Sequence, residues 1–221
     1  MDWDHIDMVL LDMDGTLLDL HFDNYFWQQY LPAAYALKTG SHPSKAQEEL
    51  FARFRAVQGT LDWYCLDYWQ RELVLDILEL KRQIQYLVGL RPGAESFLEL
   101  LRRQGKPCWL VTNAHPGSLA LKMELTGLSS RLDGLVSTHQ YGYPKEEQAF
   151  WQGLQQDVGF DPARTLFVDD SPAILAAGAT FGIRHLWAIA LPDSRGELRP
   201  DAGFPRVMSF DPLVIAESAG L

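Results

Sequence analysis

The sequence predicts an α/β fold: a Rossmann-like parallel sheet flanked by helices, with a helical domain inserted after the first strand. Apolar runs of strand length recur along the chain, and helical patterns accompany all but the first of them. Such alternation is typical of a parallel sheet with its ligand site at the carboxyl ends of the strands. The strand-like runs are Met8–Leu11, Pro107–Val111, Gly134–Ser137, Thr165–Val168 and His185–Ile189, and the helical patterns are Glu95–Arg103, Ser118–Thr126, Glu146–Asp157 and Ile174–Phe181.

The interval from about residue 20 to residue 88 breaks this rhythm. It shows no clear strand, and its helical stretches are rich in Tyr, Phe and Trp, with Gly89 and the turn Arg91–Gly93 at its end. We therefore predict a core domain of residues 1–19 and 89–221, and a helical cap domain of residues 20–88 that covers the site. The segment Pro192–Pro205, rich in proline, glycine and charge, is expected to be a surface loop.

Composition limits the classes of function. The chain has 221 residues and a formal net charge of -10, which argues against binding to nucleic acid polymers or anionic membranes. No apolar stretch approaches the ~20 residues of a membrane span, and the acidic start lacks the basic region of a signal peptide, so we expect a cytoplasmic protein. Cys65 and Cys108 lack metal-ligand spacing and are expected to be reduced, partly buried thiols.

The first polar cluster ends the first predicted strand. Asp12 and Asp14 lie two residues apart, directly before Gly15. Burying a carboxylate is costly unless a cation or hydrogen bonds compensate it, so a positive group is expected beside them. Two acids on one side of an extended chain suit the binding of a divalent metal and an anionic ligand. One carboxylate can then attack the ligand while the other donates or accepts a proton. A capped strand followed by a turn is the alternative for this motif alone.

Two further clusters follow later strands. Thr112 and Asn113 precede a helix that starts at a proline, where free N–H groups and a hydroxyl can bind an anion; an ordinary helix cap is the alternative. His115, in the same loop, is expected to face solvent; contact with the substrate is the alternative. Lys145 lies at a predicted helix start, where its charge opposes the helix dipole unless an anion or carboxylate faces it. A surface lysine is the alternative there.

The fourth cluster is the pair Asp169 and Asp170, which ends another apolar run before a Ser-Pro helix start. Adjacent carboxylates repel each other, which raises the pKa of one of them unless a cation lies beside the pair. Ligands that are all oxygen favour a hard ion, usually Mg²⁺ with retained waters and a substrate phosphate.

The order acid pair, Thr-Asn, Lys and acid pair, each at a strand end, resembles the haloacid-dehalogenase (HAD) superfamily of phosphohydrolases. The resemblance covers essentially the whole chain and includes the cap after the first motif. It implies that Asp12 is the nucleophile that accepts the phosphoryl group, and that Asp14 protonates the leaving alcohol and then activates water. It also implies that Thr112 and the Asn113 backbone hold phosphate oxygens while Lys145 neutralises charge.

The same resemblance implies a Mg²⁺ cofactor. Its ligands would be Asp12, the main-chain carbonyl of Asp14, and the acid pair, with Asp170 direct and Asp169 direct or through water. Many members carry a further acid four residues after the position of Asp170, and Ile174 stands there in this chain. Asp14 favours a phosphatase, because dehalogenating members lack an acid at its position. A phosphomutase and a catalytically silent binding protein stay open, the latter disfavoured because every expected catalytic residue is present.

Substrate choice is expected to depend on the cap. Residues 21–27 and 61–69 combine aromatic rings with amide and acid groups, a composition suited to stacking a flat base and bonding its edge. Packing within a small helical core is the alternative role for each ring. We expect Asn24 or Gln28 to read the 6-oxo edge of a purine, and Tyr25, Trp63 or Trp69 to stack on the base.

These cap segments and residues 138–148 resemble the bacterial GMP/IMP nucleotidases of the superfamily. The resemblance implies hydrolysis of purine nucleoside 5′-monophosphates, chiefly those of 6-oxopurines, to nucleoside and phosphate. Separately, we expect a monomer or homodimer. A sugar phosphate or another small phosphorylated metabolite is the alternative substrate.

Overall fold

The protein, described by a computed structural model over residues 3–211, has the predicted α/β architecture. The strands in that range are β1 (Met8–Leu11), β2 (Cys108–Thr112), β3 (Gly134–Ser137), β4 (Thr165–Asp169), β5 (His185–Ile189) and β6 (Arg206–Val207). They form one parallel sheet in the order β3-β2-β1-β4-β5-β6. Five strands match the predicted ones to within one residue at each end, whereas β6 is too short to leave a pattern in the sequence.

Between β1 and β2 the chain forms a set of helices around an apolar cluster of their own. Buried members of this cluster include Phe22, Leu50, Trp69 and Ile77. The helices are α1 (His21–Tyr25), a π-helical turn (Phe26–Tyr30), α2 (Leu31–Thr39), α3 (Pro43–Val57), α4 (Leu61–Tyr64), α5 (Leu66–Leu73) and α6 (Ile77–Gln83). We call this helical segment the cap; its limits as a domain at residues 20 and 88 stay a prediction.

Two helices cover each face of the sheet. Val9 and Leu11 belong to the apolar cluster shared with the first pair of helices that follow the cap, and Leu10 belongs to the cluster shared with the second pair. This alternation follows from the two-residue repeat of a strand buried on both faces. The four helices are α7 (Ala94–Arg103), α8 (Pro116–Thr126), α9 (Gln148–Val158) and α10 (Pro172–Phe181).

The helix starts follow local signals rather than the apolar patterns. Helices α8 and α10 start at Pro116 and Pro172, as the prolines predict and two residues before the patterns Ser118–Thr126 and Ile174–Phe181, because proline fits the first helical position, where its missing N–H is not needed. Helix α9 starts two residues late, at Gln148, because the Glu147 N–H closes a turn on the Pro144 carbonyl at 3.0 Å. Lys145 therefore lies three residues before α9, and the prediction that it stands at the N-terminus of this helix is wrong.

The remaining segments are loops and short 3₁₀ turns. Pro192–Pro205 contains no helix or strand, as predicted. Residues 1–2 and 212–221 of the predicted core lie outside the described range. Cys65 is partly buried and Cys108 is buried, and both are free thiols. Among residues 3–211, no helix has both the length and the apolar character that crossing a bilayer requires. The 3₁₀ turns are Trp3–His5, Gln85–Leu87, Leu128–Arg131, Thr138–Gln140 and Pro162–Arg164.

Candidate active site

The predicted catalytic residues meet at the carboxyl ends of β1, β2 and β4. Asp12 directly follows β1, Thr112 ends β2 and Asp169 ends β4, so the parallel register of these neighbouring strands brings the three together. All of the predicted core site residues line one cavity of about 480 Å³ between the sheet and the cap. They are Asp12, Asp14, Thr112, Asn113, Lys145, Asp169 and Asp170.

A sharp turn after β1 sets the position of the first acid pair. The Leu18 N–H donates to the Met13 carbonyl at 2.8 Å, and Gly15 adopts a positive φ of 85°. A Cβ at Gly15 would lie 2.8 Å from the carboxylate of Asp170. Glycine is therefore required here both for the backbone conformation and for the close approach of the two acidic loops.

Lys145 supplies the positive charge that buried carboxylates require. Its Nζ donates to Asp12 Oδ1 at 2.6 Å and to Asp169 Oδ2 at 2.7 Å, and it is only 1% exposed. Its backbone N–H donates to Asn113 Oδ1 at 2.9 Å, which fixes the loop relative to β2. The lysine is thus a buried counter-ion rather than a surface residue.

Three carboxylates form a potential metal site. Oxygens of Asp12, Asp169 and Asp170 lie within 4.8 Å of one another, and all three residues are buried. Burial raises the pKa of Asp12 and of Asp169 to about 6 and that of Asp170 to about 7. Lys145 and Arg199, which donates to Asp170 Oδ2 at 2.6 Å, offset two of these three negative charges. An all-oxygen site with this residual charge fits a hard divalent cation.

Asp14 faces a different cation, which the sequence did not indicate. Its Oδ1 accepts a hydrogen bond of 2.6 Å from Lys122 of α8. Lys122 also donates to Asp23 Oδ2 at 2.6 Å, and Lys81 donates to the other oxygen of Asp23 at 2.7 Å. Burial raises the pKa of Asp14 to about 7, helped by the nearby charge of Asp23 and opposed by Lys122. Protonated Asp14 is therefore accessible near neutral pH.

A second polar connection joins the cap to the sheet. The Tyr64 hydroxyl of α4 donates to Glu146 Oε1 at 2.7 Å, and Asn113 Nδ2 donates to Glu146 Oε2 at 3.0 Å. Burial and the neighbouring Glu146 raise the pKa of Tyr64, so this hydroxyl stays a hydrogen-bond donor. His115 is 18% exposed, lines the cavity and caps α8 by accepting from the Gly117 N–H at 3.1 Å, so the prediction that it faces solvent is wrong.

The cap end of the cavity is aromatic with amide side chains. Trp27 and Trp63 stack with ring centroids 6.0 Å apart, and Phe51, Phe54 and Tyr64 also belong to the aromatic lining. The amides that line this end are Asn24, Gln28 and Gln58. Asn24 Nδ2 donates to Asp193 Oδ2 at 2.7 Å, and Asn24 Oδ1 accepts from Gln28 Nε2 at 3.4 Å. The side-chain oxygen Oε1 of Gln28 and the side-chain amide of Gln58 are therefore more available to a ligand than the Asn24 amide.

Two of the predicted stacking residues lie away from this lining. Trp69 is fully buried, and its Nε1 donates to the Trp63 carbonyl at 2.9 Å, so it is a core residue of the cap. Tyr25 packs against His21 and Tyr30 outside the cavity lining. Trp63 lines the cavity as expected. The prediction that Trp69 or Tyr25 stacks on the base is therefore corrected: neither ring lines the cavity. Helical spacing alone does not show which ring faces the cavity.

Comparison with known proteins agrees with this site. A family model for haloacid dehalogenase-like hydrolases matches residues 6–182, and the chain belongs to this family. It is 50% identical over 192 residues to the GMP/IMP nucleotidase YrfG of Escherichia coli (strain K12) and to that of Shigella flexneri, covering 87% of this chain and 86% of each relative. A HAD phosphatase from Thermococcus onnurineus shares the fold, with a TM-score of 0.79, 20% identity and coverage of 97% of this chain and 98% of that one.

Proposed function

We propose that this hydrolase is a Mg²⁺-dependent phosphomonoesterase that cleaves purine nucleoside 5′-monophosphates, chiefly GMP and IMP, through an aspartyl phosphate. The observation that carries the proposal is one cavity with two chemically distinct ends. Its sheet end holds Asp12 paired with Lys145 at 2.6 Å, and its cap end is lined by aromatic rings and amides. The 50% identity to relatives named GMP/IMP nucleotidase supports the same substrate class.

In the first step, a carboxylate oxygen of Asp12 attacks phosphorus and the bond from phosphorus to the 5′ oxygen breaks. Protonated Asp14 gives its proton to that oxygen, so the nucleoside leaves as an alcohol. Thr112 and the Asn113 backbone bind phosphate oxygens, and Lys145 offsets the charge of the phosphoryl group and of Asp12.

In the second step, Asp14 takes a proton from water, the water oxygen attacks phosphorus, and the bond to Asp12 breaks to release phosphate. Asp14 is thereby protonated again for the next cycle. The carboxylates of Asp12, Asp169 and Asp170 and the main-chain carbonyl of Asp14 would hold Mg²⁺, which when bound supplies further neutralisation of the phosphoryl oxygens.

The cap end fits a flat heterocycle better than a sugar. Aromatic faces such as those of Trp27 and Trp63 stack on bases, and a base edge offers hydrogen-bonding groups that amides can pair. Gln28 and Gln58 are our candidates for reading the 6-oxo edge. A hydroxyl-rich sugar phosphate would leave much of this apolar lining without a matched partner.

The test is phosphate release with Mg²⁺ across a panel of nucleoside monophosphates and sugar phosphates. We expect the highest kcat/KM for GMP and IMP, and loss of activity when Mg²⁺ is chelated. Hydrolysis of sugar phosphates alone would contradict the base assignment while keeping the phosphatase chemistry. No hydrolysis of any phosphate ester by the folded enzyme would refute the proposal.

A further inference from the structure

Lys122 is a buried cation to which the proposed mechanism assigns no task. It lies on α8 with an exposed fraction of 1%, among residues of the apolar cluster such as Leu119 and Met123. Its ammonium group contacts the two carboxylates of Asp14 and Asp23, both at 2.6 Å. An apolar side chain in this position would avoid the cost of burying charge, and buried ion pairs contribute little net stability.

The second carboxylate, Asp23, comes from the cap and is itself held from the far side. Lys81 of α6 donates to it at 2.7 Å and is also 1% exposed. The Lys81 ammonium lies 4.6 Å from the ring centroid of Phe26 and 5.4 Å from that of Trp27. Lys122 is thus fixed between a cap carboxylate that cannot easily move and the carboxylate of Asp14.

The buried pair of Lys122 and Asp14 restricts the Asp14 carboxyl group more than a solvent-exposed ion pair would. A hydrogen bond at 2.6 Å to Oδ1 limits rotation of the Asp14 carboxyl group and leaves the other oxygen for proton transfer. Proton transfer in a transition state depends on such positioning within hydrogen-bond reach. The ion pair to Asp23 links α8 to the first helix of the cap, so the constraint holds only while the cap lies against the sheet.

We propose that Lys122 is a positioning residue that orients Asp14 toward the leaving oxygen, and that Asp23 of the cap holds Lys122 in place for this task. The proposal rests on the proposed phosphomonoesterase function, because it concerns the acid of that reaction. In this proposal the cap helps to position the catalytic acid Asp14, in addition to contacting the substrate.

The test compares two substrates of nearly the same shape, phenyl phosphate and p-nitrophenyl phosphate, in the wild type and in Lys122→Met. The nitro group makes the leaving phenolate far less dependent on a proton. The parameter is kcat/KM, which covers only the steps up to departure of the leaving group. We expect a loss of about a hundredfold or more with phenyl phosphate and of less than about tenfold with p-nitrophenyl phosphate.

Arg91→Met is the matched control, because Arg91 is a buried cation that donates to the main-chain carbonyls of Leu191 and Met208 and lies outside the network of Asp14, Asp23 and Lys122. We expect it to change kcat/KM for both substrates by a similar factor. Equal losses for both substrates in Lys122→Met would overturn the inference, since a general structural defect has that effect. If circular dichroism shows that Lys122→Met does not fold, Asp23→Asn takes its place, with a smaller selective loss expected and an equal loss overturning the inference.

The two proposals fail in different ways. A wild-type enzyme that hydrolyses neither nucleotides nor aryl phosphates refutes the phosphatase function itself. An active wild type together with equal losses in the Lys122 or Asp23 variants refutes the positioning role alone.

Discussion

Replacing Asp12 with asparagine is predicted to stabilise the metal-free protein. Burial raises the pKa of Asp12 from 3.8 to about 6, a change that the attraction of Lys145 only partly opposes. The folded state therefore binds more protons than the unfolded state between these two pH values, so stability falls as pH rises through that window. Above about pH 6, ionised Asp12 lowers the free energy of unfolding by its full amount, about 3 kcal/mol at 1.36 kcal/mol per pKa unit.

Asparagine keeps the size of the side chain and removes the charge, so the cost of ionising a buried group disappears. Lys145 keeps Asp169 as its partner at 2.7 Å. The attraction between Lys145 and the Asp12 carboxylate needs no separate correction, because it already contributes to the pKa of Asp12. At pH 7.5 we expect the free energy of unfolding of Asp12→Asn to exceed that of the wild type by about 1–3 kcal/mol.

The assay is urea unfolding followed by tryptophan fluorescence in the presence of a chelator. Glu48→Gln, which removes an exposed acid of α3, is the control and should change stability by less than about 0.5 kcal/mol. Excess Mg²⁺ should reduce the difference in free energy of unfolding between the two proteins, because a bound cation stabilises the wild type, with its additional carboxylate, more than the variant. An Asp12→Asn protein that is less stable than the wild type in chelator would refute the reasoning.

Three further predictions follow from other parts of the site. Lys145→Met leaves Asp12 and Asp169 buried without their shared cation and should lower the free energy of unfolding by about 3–5 kcal/mol in chelator; an unchanged urea midpoint would contradict this. Gln28→Ala should raise KM for GMP about tenfold and leave p-nitrophenyl phosphate kinetics unchanged; equal effects on both would remove Gln28 from base recognition. Burial and the facing His115 lower the pKa of His139 to about 4, so this side chain by itself should lower the free energy of unfolding by up to about 2 kcal/mol between pH 7 and pH 5, opposite in sign to the contribution of the buried acids. His139→Gln should therefore gain up to about 2 kcal/mol relative to the wild type as pH falls from 7 to 5; the same pH dependence in both proteins would contradict it.

Local sequence patterns predicted most of the fold and the core of the site. Buried strands such as β1 and β4 leave continuous apolar runs, and the acids that end them are easy to locate. Because parallel strands align their carboxyl ends, Asp12 and Asp169 could be expected to meet without any knowledge of distances. The helix starts were less accurate, since the first turn is set by prolines and local hydrogen bonds rather than by the apolar repeat.

Contacts between distant segments were not predictable in this way. Lys122 and Asp23 are 99 positions apart in the chain, and neither stands in a motif. A lysine on the apolar face of a helical pattern is the one signal that could have drawn attention to Lys122. Arg199 lies in a loop without periodicity, so its contact with Asp170 depends on how that loop crosses the sheet.

The aromatic residues of the cap illustrate a second limit. Trp63 and Trp69 stand on neighbouring helices with similar surroundings in sequence, yet one lines the cavity and the other is buried in the cap core. The direction of each ring is decided by packing between helices. Composition therefore indicated an aromatic lining without identifying its members.

The most direct test of the central claim is phosphate release from GMP with Mg²⁺ by the wild type and by Asp12→Asn, measured side by side on proteins shown to be folded by circular dichroism. We predict turnover by the wild type and a loss of about a thousandfold or more in the variant, because the nucleophile is missing. Comparable rates in the two proteins, or no hydrolysis of GMP by the wild type, would contradict the account.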